Sequence, residues 1–171
     1  SAAAQPEPEA EPEPEPEPVK IPAAFNENIP AARQELYIGG VNLVHEDLDG
    51  AIAKFEQAVA GDSDFYAAHY NLGSLYERKG DLAKAKRSYK NALRAKADYL
   101  PAIVAASRLM EQSGKASSAE LTLRGYMDEL DNPLALRVAL AQLLARQGKY
   151  DRAREEALAA LAQEERSAEA M

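Results

Sequence analysis

The chain is 171 residues long, enough for one ordinary domain and an appendage, with 20 basic against 28 acidic residues and a formal charge of −8. It has no cysteine, which excludes disulfides, thiolate metal ligands and cysteine nucleophiles. No stretch approaches the roughly 18 uninterrupted apolar residues of a membrane span, and a nucleic-acid-binding domain would show the opposite charge balance.

The first element is a tail. Residues 1–18 hold Glu7, Glu9, Glu11, Glu13, Glu15 and Glu17 and no base, so −6 of the −8 sits there and about −2 remains for the rest. From Pro6 to Pro18 proline and glutamate nearly alternate, broken only by Ala10. Proline removes the amide donor and fixes φ while neighbouring carboxylates repel, so extended polyproline II is expected. At about 3.1 Å per residue, some twenty residues would reach on the order of 60 Å. Residues 1–30 are thus read as a disordered or polyproline linker, with Ile21, Phe25 and Ile29 placed to cap the first helix pair. The start at Ser1, without an initiator Met or apolar leader, reads as a processed chain or a piece of something longer.

Beyond the tail the sequence predicts eight helices, at about 31–44, 48–60, 65–79, 82–96, 99–113, 116–130, 133–147 and 150–165. Alanine is abundant, aromatics make up 6% and tryptophan is absent, a composition suited to helices that approach closely. Gly80, Gly114 and Gly148 are 34 residues apart, each beginning a Gly-Asp or Gly-Lys turn. Ala51, Ala85, Ala119 and Ala153 repeat at the same interval, as do Ala58 and Ala92, rejoined by Ala160. Phe55 and Tyr89 form a further column, and Gly39 and Gly73 another that continues as Ser107 and Ala141. Such periodicity is the mark of a repeat whose units complete one another's cores. Small residues let paired helices approach, and a glycine before each second helix can take the left-handed conformation that ends the first.

These residues resemble the tetratricopeptide-repeat (TPR) family. The closest stretch is 66–99, where Leu72, Gly73, Tyr76, Gly80, Ala85, Tyr89 and Ala92 occupy the family's signature places. The resemblance implies an all-α fold, a right-handed α-solenoid of four antiparallel helix pairs over 31–167, with repeats at 32–65, 66–99, 100–133 and 134–167 and a short end at 168–171. Departures are visible. Glu46 stands at the first turn, at a cost of about 1 kcal/mol if it must be left-handed. In repeat three Gly125 is expected to make the close helix contact, because Tyr126 holds the place of a small residue. His69 stands where the family often has tryptophan, and only Pro101 and Pro133 lie near the repeat junctions.

The two histidines, His45 and His69, read as structural, no Gly-rich phosphate loop follows a strand, and neither enzyme activity nor a metal or cofactor is expected. The resemblance implies binding of another protein, as a peptide or helix, in a concave groove faced by Leu36, Tyr70, Asn71, Ser74, Glu77, Arg78, Val104, Arg108, Glu111, Gln112, Val138, Gln142 and Arg146. Asn71 matches a family position that often holds a ligand backbone. The Lys and Arg of the chaperone-type carboxylate clamp are missing, with Leu36, Gly40, Pro101 and Ala105 at the matching places.

Two other surfaces stand out. Lys84, Lys86, Arg87, Lys90 and Arg94 form a basic patch with no acid between, read as a solvated face or a site for an acidic partner, anionic lipid or the Glu tail. No extra helix follows the last repeat, so the face bearing Val138, Leu143, Tyr150, Leu158 and Leu161 is expected to be partly uncovered, open to a partner or a homodimer. Tail and repeats together suggest a bacterial envelope scaffold, held to a membrane only through an anchor outside this sequence and serving a secretion, pilus or motility complex. The alternatives are a self-associating module, or a cytoplasmic TPR fragment of a longer regulatory protein.

Overall fold

A computed structural model describes residues 29–61, 64–130 and 134–169. The acidic segment, Ile21, Phe25 and Pro133 lie outside them. The described residues form α1 (Ala31–Leu43), α2 (Leu48–Val59), α3 (Tyr66–Lys79), α4 (Leu82–Ala95), α5 (Leu100–Gln112), α6 (Ala116–Glu129), α7 (Leu134–Arg146) and α8 (Tyr150–Glu169), with no strand among them. Each helix packs on the next in sequence, and α5 also touches α3 and α7. The result is an α-solenoid of four helix pairs.

The turns follow from the glycine column. Gly80 ends α3 at φ 83°, its N–H donating to Glu77 O at 2.9 Å and the Asp81 N–H to Tyr76 O at 2.8 Å. The Asp81 side chain then caps α4 by accepting from Lys84 N at 3.0 Å. The same closure recurs at Gly114 and Gly148, φ 74° and 75°, where Lys115 N donates to Met110 O and Lys149 N to Leu144 O, both at 2.9 Å. Links this short turn each second helix back along the first.

The first link is built differently. Helix α1 ends early, Val44 is right-handed, and the N–H groups of Glu46 and Asp47 both donate to Leu43 O. Among the described residues no non-glycine has a positive φ, so the strain expected at Glu46 is not incurred. Asp47 caps α2 by accepting from Gly50 N at 2.8 Å. The consequence is a one-residue offset. Phe55 closes on Gly40, where a Cβ would lie 3.0 Å from the ring, whereas its counterpart Tyr89 closes on Gly73, where a Cβ would lie 2.3 Å away.

The apolar interior divides in two. The first part gathers Tyr37, Phe55, Phe65, Leu72, Tyr76 and Tyr89 between α1 and α4, with Ile29 sealing its open end. The second gathers Ile103, Leu123, Leu136, Leu140 and Leu144 between α5 and α8. Full burial of each such side chain contributes about 1.5–3 kcal/mol.

Two expectations are corrected here. Gly125 does not take the close contact in the third pair. It is exposed, and a Cβ there would meet nothing within 4 Å. Tyr126 itself holds the column of the buried Ala58, Ala92 and Ala160, half-buried against the second core. Leu143 is not part of an uncovered face. It is 2% exposed, turned inward on α7, while Val138, Tyr150, Leu158 and Leu161 are exposed.

Candidate functional site

The first helix of each pair (α1, α3, α5, α7) carries all thirteen candidate groove residues. Leu36, Tyr70, Val104 and Val138 form one row at 34-residue spacing, Ser74, Arg108 and Gln142 a second, and Arg78, Gln112 and Arg146 a third. The rows are tied together by side chains reaching from one pair to the next. Asn71 Nδ2 donates to the Tyr37 hydroxyl at 2.9 Å, and Arg78 Nη1 to the Val44 carbonyl at 2.9 Å. Arg108 Nη2 lies 2.9 Å from Glu77 Oε2, which also accepts from the Tyr89 hydroxyl. Arg146 grips Glu111 through Nε and Nη2 at 2.7–3.1 Å.

These rungs change what the candidates can do. Asn71 is committed to Tyr37, so holding a ligand backbone would break a bond within the protein. Each rung is partly exposed and contributes on the order of 0–1 kcal/mol, but together they join α1, α3, α5 and α7 into one wall. Between the rungs, Ser74, Gln112 and Gln142 donate to and accept from no described side chain, and Val104 and Val138 supply apolar surface. The depression among Val104, Arg108, Gln142 and Arg146 is shallow, about 50 Å³.

Around the candidate Tyr70 stand three tyrosines not among the thirteen, Tyr66, Tyr89 and Tyr99. Tyr66 and Tyr70 meet Tyr99 with ring centroids at 4.8 and 5.7 Å, and Tyr70 leans on Tyr89 at 5.9 Å. Burial, then the neighbouring tyrosines, push Tyr99 up to about 12, and burial also raises Tyr37. The Tyr37 and Tyr99 phenols are therefore neutral hydrogen-bonding groups across the physiological range. One signal for this cluster was present in the sequence, since Phe65 and Tyr99 stand 34 apart immediately before α3 and α5.

The basic patch separates into parts. Lys84 is drawn to Asp81 at 3.8 Å and sits 5.0 Å over the Tyr76 ring. Arg87 faces the cleft between α2, α3 and α4. Lys86, Lys90 and Arg94 border a larger cleft between α4, α5 and α6. On the last repeats the cations are neutralised instead. Glu120 receives Lys149, Arg152 and Arg124, and Glu156 receives Arg124 and Arg137. Burial works against the Glu120 charge, but hydrogen bonds from Lys149, Arg152 and Arg124 outweigh it and hold the carboxyl at about 2.

Among the described residues no group of three His, Asp or Glu side chains could hold a metal ion. None of the helices is long and apolar enough to cross a membrane.

Two family descriptions match the sequence, "TPR repeat" over residues 46–80 and "Tetratricopeptide repeat" over 66–99. No curated protein matches it significantly. Solved structures share the fold. MamA is similar with a TM-score of 0.66 at 18% identity, over 80% of this chain and 81% of that one. A thermophilic TPR protein of Thermus thermophilus gives 0.64 at 24% identity, over 77% and 73%. A tetratricopeptide repeat protein from Parabacteroides merdae gives 0.67 at 21% identity, over 86% of this chain and 56% of that one. Residues 46–99 therefore carry tetratricopeptide-repeat sequence, and the flanking helix pairs continue the same fold.

Proposed function

We propose that this protein is a non-catalytic interaction scaffold that holds an extended peptide or amphipathic helix of a partner along the wall formed by α1, α3, α5 and α7. The observation that carries the reading is the set of inter-repeat rungs, Tyr37–Asn71, Glu77–Arg108 and Glu111–Arg146. They hold the wall in one shape before any ligand arrives, which lowers the ordering cost of binding. The amides of Gln112 and Gln142, the Ser74 hydroxyl and the Val104 and Val138 side chains then offer the mixed polar and apolar surface that such segments use. Val104→Asp and Gln142→Glu should weaken capture of the partner from the source cell while leaving the helical circular dichroism unchanged. Undiminished capture by both variants would remove the wall as the site.

The finer role in this proposal is assembly of a larger cell-envelope complex, with the Pro-Glu segment as a spacer from an anchor. The residues encoded ahead of Ser1 test it: a lipoprotein signal supports the placement and a cytosolic domain removes it. A second reading, self-association, is favoured by one observation: Tyr150, Leu158 and Leu161 on α8 are 72%, 59% and 55% exposed. Sedimentation as a monomer at high concentration would dismiss it.

A further inference from the structure

Neighbouring helix pairs meet at three junctions whose residues correspond at 34-residue spacing, and the first two hold clefts. The first lies between α2, α3 and α4, has a volume of about 220 Å³, and is lined by Glu56, Leu72 and Tyr76. Glu56 accepts a hydrogen bond from the Tyr76 hydroxyl there, so acid and phenol satisfy each other. The residues 34 further on are Lys90, Ala106 and Met110, and they line a cleft between α4, α5 and α6 of about 470 Å³. In the third position stand Arg124, Leu140 and Leu144. Both leucines are fully buried, and Arg124 is held by Glu120 and Glu156.

The cleft at the middle junction is therefore the larger of the two, and it differs from the first in charge. Leucine gives way to Ala106 and tyrosine to Met110, which empties the floor. Tyr126, in a column otherwise occupied by alanine, forms part of the lining. The floor is apolar (Leu93, Leu109, Met110), and the rim carries Lys86, Lys90, Arg94 and Lys115 with no acid in the lining. None of these four cations is ion-paired with a described residue.

We infer that this cleft is a second docking site, separate from the α1–α3–α5–α7 wall, for a partner segment that combines large apolar side chains with flanking carboxylates. The rim selects negative charge and speeds encounter, while the floor gains from removing apolar surface from water. The pairing of requirements narrows the occupant. The Pro-Glu run from Pro6 to Pro18 would answer the rim but has no large apolar side chain for the floor. A docking site on the outer side leaves the wall free, so one molecule can bridge two partners.

The test is fluorescence anisotropy on the full chain with a labelled acidic amphipathic peptide, leucine at helical spacing and Glu or Asp elsewhere. Twins carry serine for leucine or lysine for the acids, and a peptide of residues 1–18 is a third probe. The acidic amphipathic peptide should bind about tenfold or more tighter than each of the others. Lys90→Glu with Arg94→Glu should lose about tenfold through the rim. Ala106→Leu, which installs the leucine found at both neighbouring junctions, should lose a similar factor through the floor. Val104→Asp on the wall should leave this binding unchanged. Equal affinity for the serine twin or for residues 1–18, indifference to Ala106→Leu, or displacement of the peptide by phosphatidylglycerol vesicles would overturn the inference.

Discussion

Glycine to alanine is one chemical change with two opposite outcomes in this protein, at Gly73 and at Gly125. Both residues lie inside helices, where alanine is favoured by about 0.8–1 kcal/mol. At Gly125 a Cβ meets nothing within 4 Å, so Gly125→Ala should realise that gain and stabilise the protein by about 0.5–1 kcal/mol. At Gly73 a Cβ would lie 2.3 Å from Tyr89 Cε1 and 2.5 Å from Cδ1. The ring cannot swing aside cheaply. It is 1% exposed, leans on Tyr70, and is held at its hydroxyl by Glu77. Overpacking costs about 1–3 kcal/mol, and a contact this close with a pinned ring belongs in the upper part, about 2–3 kcal/mol, which leaves a net loss of about 1–2 kcal/mol after the helix gain. For a chain of this size the midpoint should fall by about 2–8 °C in Gly73→Ala and rise by about 1–4 °C in Gly125→Ala. Thermal and urea unfolding followed by far-UV circular dichroism read both shifts. Stabilisation by Gly73→Ala would refute the α3–α4 contact, and loss of stability in Gly125→Ala would restore Gly125 to the helix interface.

Other consequences stem from the turns, the rungs and the Glu120 network. Gly114→Ala should cost about 1 kcal/mol through its left-handed backbone, whereas Glu46→Gly should bring no gain because that turn uses no positive φ; chemical denaturation of the pair measures both. Asn71→Ala should lose about 0.5–1.5 kcal/mol and speed amide exchange in α1, since it removes the bond to Tyr37. Glu120 titrates near 2 in the folded chain, below an unfolded value of about 4.3, so its contribution is present above about pH 5 and is lost as pH falls through 2. With the cations half in solvent, the contribution is about 1–2 kcal/mol at neutral pH. Glu120→Gln should therefore lower the urea midpoint at pH 7 and approach the parent in acid; an equal deficit at both ends would deny the ionic role.

The fold was legible because small residues recur in phase. Gly80, Gly114 and Gly148 mark three turns, and Ala51, Ala85, Ala119 and Ala153 mark buried helix contacts. What one column cannot show is rotation between neighbours. The shift from Gly39 to Gly40 under Phe55 arises in a turn that replaces glycine by a longer link, and Tyr126 enters a column of alanines without moving aside for Gly125. The wall residues could be placed on one face by spacing, but their pairing could not. The rungs join residues 34 apart at Tyr37–Asn71, 31 at Glu77–Arg108 and 35 at Glu111–Arg146, set by the pitch of the solenoid and by side-chain length. The cleft at Ala106 was hidden for a related reason. Its parts were each ordinary, and only their joint register against Leu72 and Leu140 marks the space.

The central claim is that the wall of α1, α3, α5 and α7 receives the partner. Photocrosslinking amino acids placed singly at Ser74 and Gln142 on the wall, and at Leu121 and Arg154 away from it, would test this directly in the source cell. One shared protein adduct at Ser74 and Gln142, absent at Leu121 and Arg154, is the predicted result. Adducts confined to Leu121 or Arg154 would contradict it.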